Sequence, residues 1–371
     1  GKKIHHPTLE YQTGSIRNDF DFGQLLLFRN DSFQQVVAQM NTDYRFAALY
    51  ELRLSISRLG KIVHIPETLY TVQPTDLRLS GEKQFDYVDP ANREVQLEME
   101  AVCTAHLQAI GAWLAPEFQR IDFGQENFAR EASVIIPVRN RKRTIAEAVE
   151  SALQQQTDFS FNVIVVDNHS TDSTGQILTE LSRRYPNLIH HIPASTELGI
   201  GGCWTEAILL PECGKFAIQL DSDDLYKDCH VLQRIVDTFY QENCAMVIGS
   251  YQMVDFKLEE IPPGLIAHRE WTPDNGRNNA LRINGLGAPR AFYTPVLRQI
   301  KFPNVSYGED YATALAISRK YPIARIYDPL YLCRRWEENS DHDLDIQQLN
   351  NYNFYKDKIR TLEIQARISG K

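Results

Sequence analysis

The stretch "FAIQLDSDDL", Phe216 to Leu225, passes from an apolar segment directly into three carboxylates. Asp221, Asp223 and Asp224 are so close in sequence that their charges repel unless a cation lies between them or water surrounds them. Two interpretations follow: a divalent cation site, or a solvated turn, because Asp and Ser are favoured turn residues. The stretch alone does not decide between them.

The composition limits the class of protein. A chain of 371 residues is long enough for about two folded units, and 43% hydrophobic with 23% charged residues is typical of a globular protein. The net charge of -9, without a Lys/Arg block interleaved with aromatic residues, argues against nucleic acid as a partner. We also expect no transmembrane segment, since no apolar run approaches about 18 residues.

Six cysteines without zinc-binding spacing predict reduced thiols in a cytoplasmic protein. The first residues, "GKKIHHPTLE", have neither a Met nor a signal-peptide pattern, so we expect an artificial start there. Localisation is therefore expected in the cytoplasm, with peripheral association at the inner face of the membrane as an alternative.

From Glu131 onward, strand and helix patterns alternate. Short apolar runs rich in β-branched residues predict strands buried on both faces. A T-x-x-E capping box at Thr144 and Glu147 predicts the start of the first helix. Alternation of this kind implies a mainly parallel sheet with right-handed crossovers. The predicted strands are Ala132–Val138, Phe161–Asp167, Leu188–Ile192 and Lys215–Leu220, and the second helix is Ile177–Arg184.

Polar side chains follow three of these strands. Asn140, Asp167 and the carboxylates of Asp221 to Asp224 all come at strand ends, where open α/β sheets bind ligands. Independent turns do not easily explain three strands that deliver polar groups to one edge. This arrangement favours the cation interpretation of the acidic stretch.

Four motifs in this order, "SVIIPVRN", "IVVDNHSTD", "LDSDD" and "GEDYA", resemble family 2 glycosyltransferases of the GT-A fold. The resemblance covers Ala132 to about Asp343. It implies a nucleotide-diphospho-sugar transferase fold: an α/β architecture whose mixed, mainly parallel sheet has helices on both faces. It further implies inverting transfer of a sugar from a nucleotide-diphospho-sugar, commonly a UDP-sugar, to a hydroxyl of a saccharide or other acceptor. Cell-surface polysaccharide biosynthesis is the expected context.

On the donor side, the resemblance implies a Mn²⁺ or Mg²⁺ ion that stabilises the leaving diphosphate. Asp223 would be its direct ligand and Asp221 would contact the metal or the ribose, because such ions prefer hard oxygen ligands. Asn168 stands where the family usually has a second acid, and a turn-forming role is equally consistent with it. The other residues expected at the donor are Pro137 and Asn140 at the nucleoside, Asp167 at the base or ribose, and Arg335 at the diphosphate, with Arg334 and His342 as further cations.

On the acceptor side, the resemblance makes Asp310 the general base that takes the proton of the attacking hydroxyl. The alternative is that Glu309 and Asp310 only complement the helix dipole in the first turn. Gly287, Glu309 and Trp336 are the other residues expected near the acceptor, and a solvated charged loop is the alternative for the stretch around Trp336.

The chain departs from the family pattern in two places. "GIGGCWTEA" puts Trp204, Thr205 and Glu206 where Ala, Arg and Asn are common, and no Gln precedes the Arg-Trp pair, which argues against a processive polymerase. A G-x-G-x-x-G fingerprint is also missing, which disfavours a dehydrogenase.

An internal repeat links the two ends of the sequence. Tyr50–Tyr70 aligns without a gap to Tyr311–Tyr331 at a constant offset of 261 residues (311 minus 50), with nine identical positions. We therefore interpret residues 1–88 as the back half of a second glycosyltransferase-like domain. This small α/β segment would be non-catalytic, since Ala48 and Leu49 replace the acids of the later copy.

The remaining boundaries follow from this interpretation. We expect a helical linker at 89–130, the catalytic domain at 131–345 and a C-terminal helix at 346–371. The expected partners are a nucleotide-sugar donor and a glycan or lipid-linked acceptor, with oligomerisation through the N-terminal segment as a further option. The alternative function is a catalytically silent module that binds a sugar nucleotide or a glycan.

Overall fold

The computed structural model describes residues 5–73, 92–124, 127–336 and 344–370. The chain forms two compact units. Unit 1 consists of Gly1–Pro116, Glu270–Gly285 and Asp341–Lys371, and unit 2 consists of Glu117–Arg269 and Leu286–Ser340. The predicted linker helix and C-terminal helix thus belong to the same unit as the N-terminal segment.

The elements have the following bounds within the described residues. The helices are α1 (Asn30–Val37), α2 (Ala48–Leu59), α3 (Arg93–Ala109), α4 (Ile145–Leu153), α5 (Thr174–Arg184), α6 (Ile200–Leu209), α7 (Val231–Glu242), α8 (Gly276–Asn279), α9 (Thr294–Ile300), α10 (Glu309–Ser318) and α11 (Ile346–Ile368). The strands are β1 (Ala132–Val138), β2 (Phe161–Asp167), β3 (Leu188–His191), β4 (Phe216–Gln219), β5 (Leu225–Tyr226), β6 (Met246–Val254), β7 (Glu260–Ile266), β8 (Arg290–Tyr293) and β9 (Ile323–Arg334).

Unit 2 contains one mixed sheet of nine strands among the described residues, in the order β3-β2-β1-β4-β8-β6-β9-β5, with β7 paired to β6. The half from β3 to β4 is parallel, with Val138 opposite Asp167 and Ile135 opposite Gln219. Parallel strands end at the same edge, so Val138 and Asp167 finish side by side, and β4 ends towards the same edge at Gln219, opposite Ile135. We call this edge the rim. The predicted α/β class and the bounds of β1 and β2 are confirmed.

The other half of the sheet begins where β8 pairs antiparallel with β4 and β6. Strand β9 then pairs parallel with β6 and antiparallel with the short β5. Because β5 directly follows the acidic stretch, this pairing brings the C-terminal part of β9 next to Asp221–Asp224. We call these four residues the acidic turn.

The capping box predicted at Thr144 and Glu147 is wrong. Thr144 precedes α4, but its side chain makes no cap hydrogen bond, and its buried hydroxyl has no partner among the described residues. Glu147 instead accepts a hydrogen bond from Nη1 of Arg334, an ion pair that a local sequence pattern does not reveal. A capping box does form at Asp345 and Gln348, at the start of α11.

In unit 1 the N-terminal segment packs on α3 and α11. Ala47 precedes α2 without a capping side chain, and Glu98 of α3 accepts the backbone N–H groups of Phe46 (2.7 Å) and Ala47 (3.0 Å). A carboxylate there complements the positive end of the helix dipole. On α11, buried Asp357 pairs with Arg360 at 2.8 Å and with Arg17 at 3.2 Å. Ion pairs thus tie together segments that are distant in sequence.

The repeat has one part that the structure reproduces and one that it does not. Helices α2 and α10 begin at Ala48 and Glu309, the same offset that the sequence shows. The strand expected in the first copy is not formed, and residues 61–73 include no strand at all. Strand β9 of the later copy is held by β5 and β6, and unit 1 provides no such neighbours among its described residues. The duplication itself stays a prediction.

No helix in the described ranges has the length and apolar character needed to cross a membrane. All six cysteines are free thiols.

Candidate active site

The acidic turn follows β4 at the rim and is held by groups from β4 and β9. The hydroxyl of Tyr331 accepts the backbone N–H of Asp221 at 2.8 Å. Both carboxylate oxygens of Asp221 lie close to Nε2 of Gln219, at 2.9 and 3.1 Å. Oδ1 of Asp224 accepts the backbone N–H of Arg334 at 2.8 Å. The turn is therefore built into the sheet rather than solvated on all sides.

Burial makes the charged forms of two of these carboxylates unfavourable. Burial raises the pKa of Asp224 well above its ordinary value, and the charges of Asp223 and Asp221 raise it further. Burial also raises the pKa of Asp221, against the opposing charge of Arg290. Crowded carboxylates of this kind favour a bound cation, which relieves their repulsion.

Asp223 has cationic and aromatic neighbours. Its Oδ2 accepts the indole N–H of Trp336 at 3.2 Å and lies 3.7 Å from Nε of Arg141. Its backbone carbonyl accepts a hydrogen bond from Nε of Arg334. Arg334, which is 1% exposed, thus clamps the acidic turn, whereas Arg141 comes from the loop after β1 and is partly exposed.

The donor set fits a divalent metal. Asp221 and Asp223 offer the hard carboxylate oxygens that Mn²⁺ and Mg²⁺ prefer. The described residues include no cluster of three or more His, Cys, Asp or Glu side chains suited to a metal. Two protein carboxylates match an ion that takes its other ligands from a diphosphate and water.

At the end of β2, Asp167 is almost fully buried. Its Oδ1 accepts the N–H of Ser170 at 2.9 Å, and its Oδ2 lies 3.3 Å from Nε2 of His190. Burial alone would raise the pKa of Asp167, but the hydrogen bonds from His190 and Ser170 outweigh it and lower the pKa. Asp167 is therefore held as a carboxylate at the floor of an open cavity of about 720 Å³ between α5 and β3.

The neighbouring polar residues predicted for the nucleoside lie on the same side. Asn140 has a left-handed backbone (φ 54°), and its Oδ1 accepts the N–H of Thr171 at 2.8 Å. Asn168 donates from Nδ2 to the carbonyl of Leu198 at 2.8 Å, while its buried Oδ1 has no partner among the described residues. Pro137 lies opposite Val166 in the sheet. The structure thus brings Asn140, Asp167 and Asn168 to one end of β1 and β2.

On the other side of the acidic turn, α10 begins with Glu309 and Asp310. Oδ2 of Asp310 lies 2.5 Å from Nη1 of Arg290. Glu309 is 9% exposed. Its burial and, to a smaller extent, the negative charge of Asp310 raise its pKa to about 8. Asp310 is the more accessible of the two acids and carries a cationic partner.

Three other predicted residues have defined places. The carbonyl of Gly287 (φ 101°) accepts Nη1 of Arg290 at 2.9 Å, which puts this glycine beside Asp310. Trp336 donates its indole N–H to Asp223, and its predicted place at the acceptor stays a prediction. Arg335 donates its backbone N–H to the carbonyl of Val254 at 2.9 Å, and the neighbouring Arg334 engages the acidic turn.

The "GIGG" stretch serves packing. A Cβ on Gly201 would lie 2.0 Å from the carbonyl oxygen of Pro303, and one on Gly199 would lie 2.6 Å from Val305. Trp204 is buried between Phe292 and Phe302. The glycines allow α6 to touch the segment that leads into α10, so this departure from the family pattern forms part of the core.

Sequence reasoning missed four residues of the site: Arg141, Gln219, Tyr331 and Arg290. Arg141 was detectable, because it belongs to a basic loop directly after a strand that ends at the rim. Tyr331 was also within reach as the last identical position of the repeat. Gln219 and Arg290 carry no local signal, since their roles depend on the antiparallel pairing of β4 with β8.

Residues 133–300 match the family model described as Glycosyl transferase family 2. The resemblance to this family that the sequence motifs indicate is thereby confirmed for these residues. The predicted α/β fold, with its mixed sheet, is confirmed.

Among curated proteins, the chain is 25% identical over 230 residues to a poly(ribitol-phosphate) beta-glucosyltransferase of Bacillus spizizenii. The match covers 60% of this chain and 35% of that protein, so the chain spans about a third of its relative's length.

Two solved structures are similar at low identity. S. aureus TarS 1-349 in complex with UDP-GlcNAc gives a TM-score of 0.48 at 22% identity, covering 64% of this chain and 72% of that one. Glucosyl-3-phosphoglycerate synthase of Mycobacterium tuberculosis, in complex with Mn²⁺, UDP and its product, gives 0.40 at 16% identity, covering 65% and 81%.

Proposed function

We propose that this protein is a metal-dependent, inverting glycosyltransferase that moves a sugar from a nucleotide-diphospho-sugar, of the UDP-sugar class, to an acceptor hydroxyl. The observation that carries the proposal is that Arg290 pairs with Asp310 and also lies in the field of Asp221. Arg290 and the acidic turn both fall within the residues that match the family model. The two halves of the reaction need two groups of this kind: one that holds the leaving diphosphate and one that activates the acceptor.

On the donor side, Asp223 and Asp221 would hold a Mn²⁺ or Mg²⁺ ion. Such an ion stabilises the negative charge that a leaving diphosphate gathers. Arg141, close to Asp223, supplies a further positive charge at the same place. Pro137, Asn140, Asp167 and Asn168 would form the nucleoside pocket, and Arg335 stays a candidate for the outer phosphate.

On the acceptor side, Asp310 would accept the proton of the attacking hydroxyl. Asp310 is partly exposed, so an acceptor can reach it, and it lies at the start of α10 beside the backbone of Gly287. Glu309, with its raised pKa, is suited to remain neutral near neutral pH and to donate a hydrogen bond rather than to take a proton. Attack from the face opposite the leaving group gives inversion.

The acceptor class that we propose is a glycan or lipid-linked saccharide, and the context is cell-surface polysaccharide synthesis. The similarity to the Bacillus glucosyltransferase supports this choice. Free thiols throughout the chain are consistent with the reducing cytoplasm as the compartment.

The deciding experiment is incubation with UDP-, GDP- and dTDP-sugars, with and without Mn²⁺. We expect one donor to stabilise the protein in a metal-dependent way, and its nucleoside diphosphate to be released slowly by hydrolysis and faster with the acceptor. A silent binding module, the alternative function, would show saturable stabilisation without release. NMR of the product would then report the anomeric configuration.

A further inference from the structure

Arg290 connects the two carboxylate groups of the site. It is the first residue of β8, and its Nη1 contacts both Oδ2 of Asp310 (2.5 Å) and the carbonyl of Gly287 (2.9 Å). Its backbone N–H donates to Oε1 of Gln219 at 3.1 Å. One residue thus reaches Asp310 through its side chain and the end of β4 through its backbone.

Gln219 continues the connection to the acidic turn. Since Oε1 accepts a backbone N–H, which can only donate, the Nε2 end of this amide must point the other way. Nε2 lies 2.9 and 3.1 Å from the two carboxylate oxygens of Asp221. Gln219 is 3% exposed, so water does not compete for these bonds. The result is an unbroken series of contacts from Asp310 through Arg290 and Gln219 to Asp221.

The charges around Arg290 match this arrangement. Burial alone would lower the pKa of the Arg290 guanidinium, but the negative charges of Asp310, Asp221 and Glu309 outweigh burial and raise it. A guanidinium offers several N–H donors in a fixed plane, which allows one side chain to hold a carboxylate and a backbone carbonyl at once.

We propose that Arg290 is a positioning residue that fixes the Asp310 carboxylate for acceptor activation, and that Gln219 keeps it in register with the acidic turn. The inference rests on the proposed function, in which Asp310 is the base. An ion pair makes a carboxylate a weaker base, so the gain must come from orientation. A displacement of about 1 Å in a reacting group costs about 10²-fold in rate.

The test is a double-mutant cycle between Arg290→Gln and Asp310→Asn, with Arg290→Lys as the conservative variant. Arg234→Gln is the matched control, because it also removes an arginine from an ion pair. Arg234 lies on α7 and pairs with Asp228 at 2.6 Å. For each protein we would measure kcat for transfer, KM for the donor and the melting temperature with donor and Mn²⁺.

We expect Arg290→Gln to lower kcat by about 10 to 10² with donor KM unchanged within about threefold. Arg290→Lys should recover part of the loss, because it restores charge without the planar geometry. The double variant should be no slower than Asp310→Asn alone, since Arg290 acts through Asp310. Arg234→Gln should match the wild type.

Three outcomes would overturn the inference. Multiplicative losses in the double variant would show that Arg290 acts independently of Asp310. A normal kcat in Arg290→Gln would show that the ion pair has no role in transfer. A loss confined to donor KM would assign Arg290 to donor binding.

If the wild type transfers no sugar to any acceptor, the proposed function fails and this inference fails with it. If Arg290→Gln does not fold, Arg290→Lys decides: a normal kcat in that variant would leave only the charge as important and would contradict positioning by the planar group.

Discussion

The indole N–H of Trp336 donates to Oδ2 of Asp223 over 3.2 Å, and the ring contacts both the guanidinium of Arg143 and the ring of Phe256. This contact makes Trp336 a support for the acidic turn.

Replacing Trp336 with Phe keeps an aromatic ring but removes the N–H. We expect metal-dependent donor affinity to fall about tenfold, as is typical for a hydrogen bond to a charged group. Calorimetric titration with donor and Mn²⁺ checks this value. Trp113→Phe, in unit 1, is the control, and equal affinities in the two variants would contradict a role for the indole N–H.

Asp223→Ala should abolish metal-dependent donor binding and leave the fold intact. The substitution removes the proposed metal ligand, and it also removes the charge that, after burial, raises the pKa of Asp224. Thermal shifts measured with the donor, with and without Mn²⁺, report the loss. Asp237→Ala, which removes an exposed carboxylate from α7, should behave as the wild type. Unchanged donor affinity of Asp223→Ala in Mn²⁺ would count decisively against the metal site.

Asp310→Asn should separate binding from transfer. Donor binding should persist, whereas transfer should fall by about 10² to 10⁴, the usual contribution of a general base. The measurements are donor affinity and the rate of product formation on the same preparation. Near-normal transfer would mean that Asp310 is only an acid that complements the dipole of α10.

Glu309 should make the metal-free protein less stable as the pH rises. Its folded-state pKa of about 8 lies above its ordinary value of 4.5, so its contribution to the free energy of unfolding is complete below about pH 4.5. That contribution is lost as the pH rises through about 8.

Thermal unfolding at about pH 6 and about pH 9 measures this dependence. In Glu309→Gln, which cannot ionise, the difference in melting temperature between the two pH values should be smaller than in the wild type. Equal differences in the two proteins would show that Glu309 does not carry the effect.

Gly201→Ala should destabilise unit 2 by about 1 to 3 kcal/mol, the usual cost of overpacking. The added methyl group would lie 2.0 Å from the carbonyl oxygen of Pro303, which belongs to the backbone and cannot move aside alone. Gly60→Ala is the control, since a Cβ there meets nothing within 4 Å. Chemical denaturation of both variants compares the free energies of unfolding, and a neutral Gly201→Ala would contradict the packing role.

The parallel half of the sheet could be predicted because its strands are buried on both faces. Ala132–Val138 and Phe161–Asp167 are continuous apolar runs, and burial from both sides requires that pattern. The rim and its polar residues then followed from strand direction alone, since parallel strands end together.

The antiparallel half and the contacts at the site could not be predicted in this way. Strand β8 has only four residues, and its place between β4 and β6 depends on neighbours that are distant in sequence. The role of Trp336 was also beyond local reasoning, because its ring reaches Asp223 only through the pairing of β9 with β5. Side-chain pairs formed across the sheet require the register, which a single sequence gives poorly.

Unit 1 is assembled from three separate stretches of chain, and this order has a consequence for protein synthesis. The N–H of Gly14 donates to Oγ1 of Thr361 on α11 at 2.8 Å, so the two ends of the unit depend on each other. A ribosome must make the whole of unit 2 before α11 is available. Domains usually fold in the order in which they emerge, but here the first stretch must wait, with apolar surface exposed. The nascent N-terminal segment should therefore require chaperone protection until translation has passed residue 368, and truncated products that lack α11 should aggregate.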